Sequence, residues 1–248
     1  MKKALFFLSV LLLLSTSVVY SKESKRSFLH NDTIRSIVHR FVFLHYAHQP
    51  LDDAMSKKIF NLYLNRLDPG HYYFLEKDIT EFRKMENRMD DMLLRGDSRI
   101  ALDMFERFKT RLSERLASLE EFSKEEFDFK KDGTWQIDRK TAAYPKTKKD
   151  ARKLWRLKIK FDLLNLKIAG NTIKEGKDRL LKRVRGQWKN YAQYTDDNVV
   201  ALYLNALTRA YDPHSTYMEP QDFKNFDIAI KLSLEGIGAV LRWEDGYT

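Results

Sequence analysis

Apolar side chains recur at helical spacing along most of the chain. From Asn31 onward, Ile34, Ile37, Val38, Phe41 and Leu44 share one face, with Asn31 or Asp32 as candidate N-cap and Pro50 as the stop. Met55, Ile59, Leu62 and Tyr63 carry a second helix to Leu67, where Asp68-Pro69-Gly70 breaks it. The pattern predicts a third helix over Lys77–Leu94, stopped by Gly96, and a long fourth one through Leu102, Phe105, Leu112, Leu116 and Leu119. Periodicity is lost over 123–146, a stretch holding Gly133, Trp135 and Pro145 that reads as a long packed connection. It resumes over Thr147–Ala169, with Gly170 as the residue past the cap. Thr172–Tyr194, Asp196–Ala210 and Pro220–Lys231 complete the series, and all five prolines fall at inferred boundaries.

The pattern then changes. Ile237, Ala239, Leu241 and Trp243 alternate at period two, and Asp245-Gly246 is a hairpin turn signal with two residues left after it. A hairpin with one arm exposes an apolar edge, so the chain reads as stopping just inside a second domain. The expected fold class is all-α, an irregular multi-helix domain followed by the first β-strand of another. The expected boundaries are 22–231 for the helical domain and 232–248 for the incomplete one.

The N-terminus adds a targeting element. Met1-Lys2-Lys3 is a positive n-region, Ala4–Leu14 an apolar h-region, and Val19 and Ser21 suit positions −3 and −1 of a cleavage. Residues 1–21 are therefore expected to be a secretory signal peptide. Ala4–Tyr20 is marginal for a bilayer span, so no stable span is expected after removal. The absence of cysteine excludes disulfides, thiol catalysis, Cys-type zinc sites and a lipoprotein anchor. The net charge of +10 invites a nucleic-acid reading, but an exported chain meets little nucleic acid. Two of those charges leave with the signal, and Lys146–Lys189 alone carries +12, so the rest of the mature chain is acidic. Lys148, Lys149, Arg152, Lys153, Arg156, Lys182, Arg183 and Arg185 would form a basic stripe on two adjacent helices. Such a stripe reads as a solvated face or as a docking surface for an acidic adaptor or an anionic envelope polymer.

Two segments echo each other when their Asp-Pro pairs are aligned. Asp68, Pro69, Tyr73, Asp78 and Phe82 match Asp212, Pro213, Tyr217, Asp222 and Phe226 at identical offsets, each after a helix carrying Leu-Tyr-Leu-Asn. In both, aspartate can cap, proline forbids continuation and the aromatic ring can pack back on the core.

At these residues the chain resembles the carboxyl-terminal processing, or tail-specific, proteases. The resemblance rests on Asp212-Pro213-His214-Ser215 with Tyr217, followed by Glu235-Gly236-Ile237-Gly238-Ala239, and on Leu67-Asp68-Pro69 with Tyr73-Phe74-Leu75 and Asp78-Ile79. It implies a helical N-terminal domain, a PDZ domain beginning at Glu235–Gly238, and a Ser/Lys peptidase domain beyond. It also implies a periplasmic enzyme, soluble or peripherally attached to the inner membrane, acting on proteins with apolar C-terminal tails. The motif residues Asp212, Pro213, His214, Ser215 and Tyr217 would then form a structural junction between domains. No catalytic residue carries over, because the resemblance implies that the nucleophilic serine and the general-base lysine lie far downstream; Ser-x-x-Lys, Gly-x-Ser-x-Gly and Walker-type loops also occur nowhere in the chain. The expectation is a scaffold and partner-binding part, inactive alone, with a free-standing periplasmic helical adaptor as the alternative. No cofactor is expected. His39, His45 and His48 lack the further ligands a zinc site needs, so no metal is expected either.

Overall fold

A computed structural model describes residues 28–131 and 133–231, and among these every regular element is helical. The helices are α1 (Phe28–Leu44), α2 (Asp53–Leu67), α3 (Glu76–Arg83), α4 (Met89–Leu94), α5 (Arg99–Phe122), α6 (Lys148–Ile168), α7 (Ile173–Ala192), α8 (Asp196–Tyr211) and α9 (Pro220–Lys231). The expected signal peptide and the expected PDZ strand lie outside the described residues.

Caps account for several boundaries. Asp52 accepts from the N–H groups of Ala54 and Met55, and Thr147 accepts from Asp150. Thr172 with Glu175 and Thr195 with Asn198 form reciprocal capping boxes. Two expectations need correction. Helix α1 starts at Phe28, so Asn31 and Asp32 are not its cap, and Asp32 instead pairs with Arg35 at 2.8 Å within the helix. The single helix expected over Lys77–Leu94 is two, α3 and α4, separated by turns. Ser56 of α2, fully buried, accounts for the interruption: its hydroxyl donates to Glu86 O (2.7 Å) and accepts from Met89 N (2.8 Å). A side chain from another helix thus satisfies groups that a continuous helix would have paired internally.

Helix α5, about 36 Å long at 1.5 Å per residue, runs through two hydrophobic cores. The first joins its N-terminal half (Met104, Phe105, Phe108) to Ile34 and Val38 of α1, Ile59 and Phe60 of α2, Leu93 of α4 and Leu207 of α8. The second joins Leu119 and Phe122 of α5 to Trp155 and Leu163 of α6 and Leu180 and Val184 of α7. The loop 68–75 passes between them, with Phe74 in the first core and Leu75 in the second.

Asp68 and Tyr73–Leu75 of that loop are buried, so backbone donors there must be satisfied inside the protein. Asp68, with no exposed surface, accepts from the N–H groups of Tyr72 (2.7 Å), Tyr73 (2.9 Å) and Phe74 (3.0 Å). Burial pushes its carboxyl above the ordinary aspartate value, against the pull of those three donors and of His71. Asp78, equally buried, accepts from Leu75 N (2.9 Å), from Arg107 (2.6 Å) and from Arg111 through two nitrogens (2.8 and 2.9 Å). Among its described residues the connection 123–147 has no helix, and it closes over the loop. Trp135 lies on Tyr72 with rings 6.0 Å apart, His71 stacks on Tyr144, and Glu76 N donates to Pro145 O. The packed connection expected around Trp135 is what the structure contains.

Removing the Asp78 charge leaves buried Arg111 with Glu114 as its one carboxylate (2.9 Å) and Arg107 without its shorter pair, so Asp78→Asn should cost about 3 kcal/mol in urea unfolding at pH 7. Burial raises the Asp78 pKa, but the bonds from Arg111, Leu75 and Arg107 outweigh it and hold the value below the ordinary one. Its stabilisation is therefore complete above the unfolded value of about 3.9 and is lost as pH falls through the folded one. The gap between wild type and Asp78→Asn should shrink below pH ~4. Two glycines give opposite signs. Gly96 has φ +73°, and a Cβ there would meet Asn31 O at 1.9 Å, whereas Gly186 lies within α7 with nothing within 4 Å. Gly96→Ala should lower stability by at least ~2 kcal/mol, and Gly186→Ala should raise it by about 0.5–1 kcal/mol, both read by thermal melts.

Candidate functional site

The two echoing units meet in space. Helices α2 and α8 run antiparallel: Lys58 donates to Ala210 O, while Tyr63 and Tyr203 meet edge-to-face with ring centres 5.8 Å apart. Both tyrosines are fully buried and donate to backbone oxygens, Tyr63 to Ala101 O and Tyr203 to Met89 O. The two Leu-Tyr-Leu-Asn segments therefore cross at equivalent residues.

The units differ in how they turn. Leu-Tyr-Leu-Asn ends three residues before Asp68 but seven before Asp212, so α8 continues about one helical turn further. In the first unit Asp68 gathers the loop N–H groups. In the second, Asn205 takes that part: Oδ1 accepts from Tyr217 N (3.0 Å) and Thr216 Oγ1 (2.8 Å), and Nδ2 donates to Tyr217 O (3.0 Å). Asp212 makes a smaller turn, accepting from His214 N (3.2 Å) and Ser215 Oγ (3.0 Å). Those two bonds, the His214 N–H foremost, hold its carboxyl below the ordinary value. Ser215 donates to an aspartate, and His214 contributes its backbone. Asp212, His214 and Ser215 thus form one hydrogen-bonded turn around Pro213, while Tyr217 is held against α8 by Asn205. Glu235, Gly236, Ile237 and Gly238 lie outside the described residues.

A cleft of about 430 Å³ opens along the α2–α8 crossing. Half-buried Leu62 and Leu202 and buried Ala206 form its floor; exposed Asn65, Arg66 and Arg209 form its rim. Pro69 and Thr216, one from each Asp-Pro loop, complete the wall. The rim residues were not singled out from the sequence. The repeated Leu-Tyr-Leu-Asn was the available signal, since it marks the two helices that cross.

The basic stripe faces inward electrostatically. Lys148 reaches Glu114 (2.7 Å), Arg152 reaches Glu121, Arg156 reaches Glu125 (2.9 Å) and Arg185 reaches Glu120 (2.7 Å), all on α5 or just beyond it. Arg183 reaches Asp162 (3.2 Å), and Lys153 lies 3.9 Å from Asp150. Lys149 and Lys182 are exposed on α6 and α7. The stripe and the acidic face of α5 together form an ion-pair seam between helices. His45 is buried against Phe41 and Tyr211, and His39 bonds Leu94 O at 3.2 Å. Among the described residues no three His, Cys, Asp or Glu side chains form a metal-binding group, and no helix is long and apolar enough to cross a membrane.

Known proteins are similar in sequence over the same stretch. The family described as the tail specific protease N-terminal domain matches residues 37–221, from within α1 to the start of α9. A tail-specific protease of Haemophilus influenzae is 39% identical over 202 residues, covering 81% of this chain and 29% of the relative. The carboxy-terminal processing protease CtpA of Bacillus subtilis is 38% identical over 71 residues, 28% of this chain and 15% of that protein. The chain thus spans less than a third of the length of either relative. With the match running across all of α2–α8, and with the whole second core and all of the first but Ile34 inside it, the chain belongs to the tail-specific protease N-terminal domain family.

Proposed function

We propose that this chain is the N-terminal scaffold of an exported tail-specific serine endopeptidase. In the intact enzyme a serine would attack the peptide carbonyl with a lysine as base, on substrates with apolar C-terminal tails, and both groups would lie outside residues 28–231. The observation that supports the reading is the agreement between the matched stretch 37–221 and the helical body with its two cores. The Asp212–Tyr217 turn would act as the structural junction leading through α9 toward the PDZ domain implied by Glu235–Gly238. Hydrogen bonding within the turn supports a structural role for Ser215, whose proton goes to Asp212. Export rests on the signal-like residues 1–21.

Incubated with a peptide carrying an apolar free C-terminus, the purified chain should release no fragments above the buffer rate over hours. Cleavage that persists after repurification would place a nucleophile within this chain and overturn the scaffold reading.

The basic face is proposed as a secondary contact for an acidic partner, through the outward lysines Lys149, Lys153 and Lys182. Exposed charges act through screened fields, so binding of a polyglutamate probe at low salt should vanish in 0.5 M salt. Micromolar affinity retained at that salt would rule out electrostatic docking. The seam itself should add little: Arg185→Glu should cost about 1 kcal/mol or less in low salt, and less still at 0.5 M.

A further inference from the structure

Helix α9 carries an apolar face that no described residue covers. Phe223, Phe226 and Ile230 fall at i, i+3 and i+7, on one side of the helix, and are 57, 45 and 62% exposed. Ile228 is exposed too but lies off that side. No residue of α9 is buried, and its side-chain bonds, Gln221 to Asn225 and Lys231 to Asp227, stay within it. A helix of 12 residues is marginal in water by itself and owes its stability to packing of an amphipathic face. The helical body does not supply that packing. Neither core includes a residue of α9, and the family match ends at 221, the second residue of the helix.

The chain itself carries a matching surface a few residues further on. Ile237, Ala239, Leu241 and Trp243 alternate, so an extended backbone would place them on one face. A single apolar strand needs something to pack on. The lengths agree. Residues 237–243, extended, cover about 23 Å at 3.3 Å per residue, and α9 is about 18 Å long. Residues 232–236 can reach about 17 Å, enough for the chain to double back along the helix. So short a tether also holds the segment at an effective concentration on the order of millimolar, ahead of a free partner or a second copy.

We propose that residues 237–243 of the same chain cover Phe223, Phe226 and Ile230, which makes α9 the first element of the second domain instead of the last element of the helical one. The boundary then falls at Glu219–Pro220, because Tyr217 and Glu219 are still fastened to α8, by Asn205 and Asn198 at 3.0 Å each. Helix α9 would move with the domain that follows. This goes beyond the scaffold reading and does not depend on it, since the packing is measured without any peptidase.

Two measurements on the full chain test it. With p-benzoylphenylalanine in place of Phe226, irradiation should give an adduct within one chain, mapped by mass spectrometry to 232–248. An adduct to residues 28–219, an adduct between two chains, or none at all would overturn the proposal. Amide hydrogen exchange over 220–231 should quicken about 10-fold or more in Leu241→Asp with Trp243→Asp, while peptides from α5 and α8 keep their rates. Unchanged exchange in α9 would sink the idea. Quickened exchange in all three helices would equally count against a cover local to α9.

Discussion

The fold depends on burying a loop. Residues 73–75 carry their backbone through the space between the two cores, buried from water, where each unmet donor would cost on the order of 1–3 kcal/mol. Asp68 meets those of Tyr73 and Phe74, with that of Tyr72 beside them, and Asp78 meets that of Leu75 while holding Arg107 and Arg111 of α5. Two buried carboxylates therefore determine where α2 ends, where α3 begins and how α5 lies against both. His71, at φ +53°, is held in a left-handed conformation by its stack on Tyr144 and its bond to Ala142 O. Local strain persists there because the surrounding contacts over-determine the loop.

Helix α5 turns that local arrangement into a domain. Its N-terminal half faces α1, α2, α4 and α8, and its C-terminal half faces α6 and α7. The polar side of the same helix supplies Glu114, Glu120 and Glu121 to basic residues on α6 and α7. Arg152 and Arg156 also lie over the rings of Phe122 and Phe127, at 4.6 and 5.1 Å, so their stems pack while their charges pair. A surface of marked positive charge in the sequence is thus half of a seam whose acidic half lies earlier in the chain.

The two Asp-Pro units began from one pattern and carry different loads. In the first, Tyr73, Asp78 and Phe82 are buried. In the second, Tyr217 is half-buried, and α9, which carries Asp222 and Phe226, buries no residue. One extra turn in α8 moves the aspartate away from its loop, and Asn205 then supplies the carbonyl and amide that hold Tyr217. Helices α2 and α8 meet at Tyr63 and Tyr203, with a cleft along the crossing walled by Pro69 and Thr216 of the two Asp-Pro loops.

Helix existence was legible in the sequence because period, caps and prolines are local: Thr172 with Glu175, or Pro220 at the start of α9, act within one turn. The family was legible for the same reason, since Asp68-Pro69 and Asp212-Pro213 with their following residues are contiguous motifs. The break between α3 and α4 was not legible, because the group that stabilises it, Ser56, lies 30 residues away from Glu86. Nor was the neutralisation of the basic stripe, which needs carboxylates 31 to 65 residues distant. Arg66 and Arg209 share a cavity only because α2 and α8 pack antiparallel. By itself, then, the sequence determined what short-range sterics and hydrogen bonding control: which segments are helical, where most of them stop, and which motifs they carry. Tertiary structure decided which charges are paired, which helix is interrupted and where a cleft opens, because those depend on contacts between residues far apart in the chain.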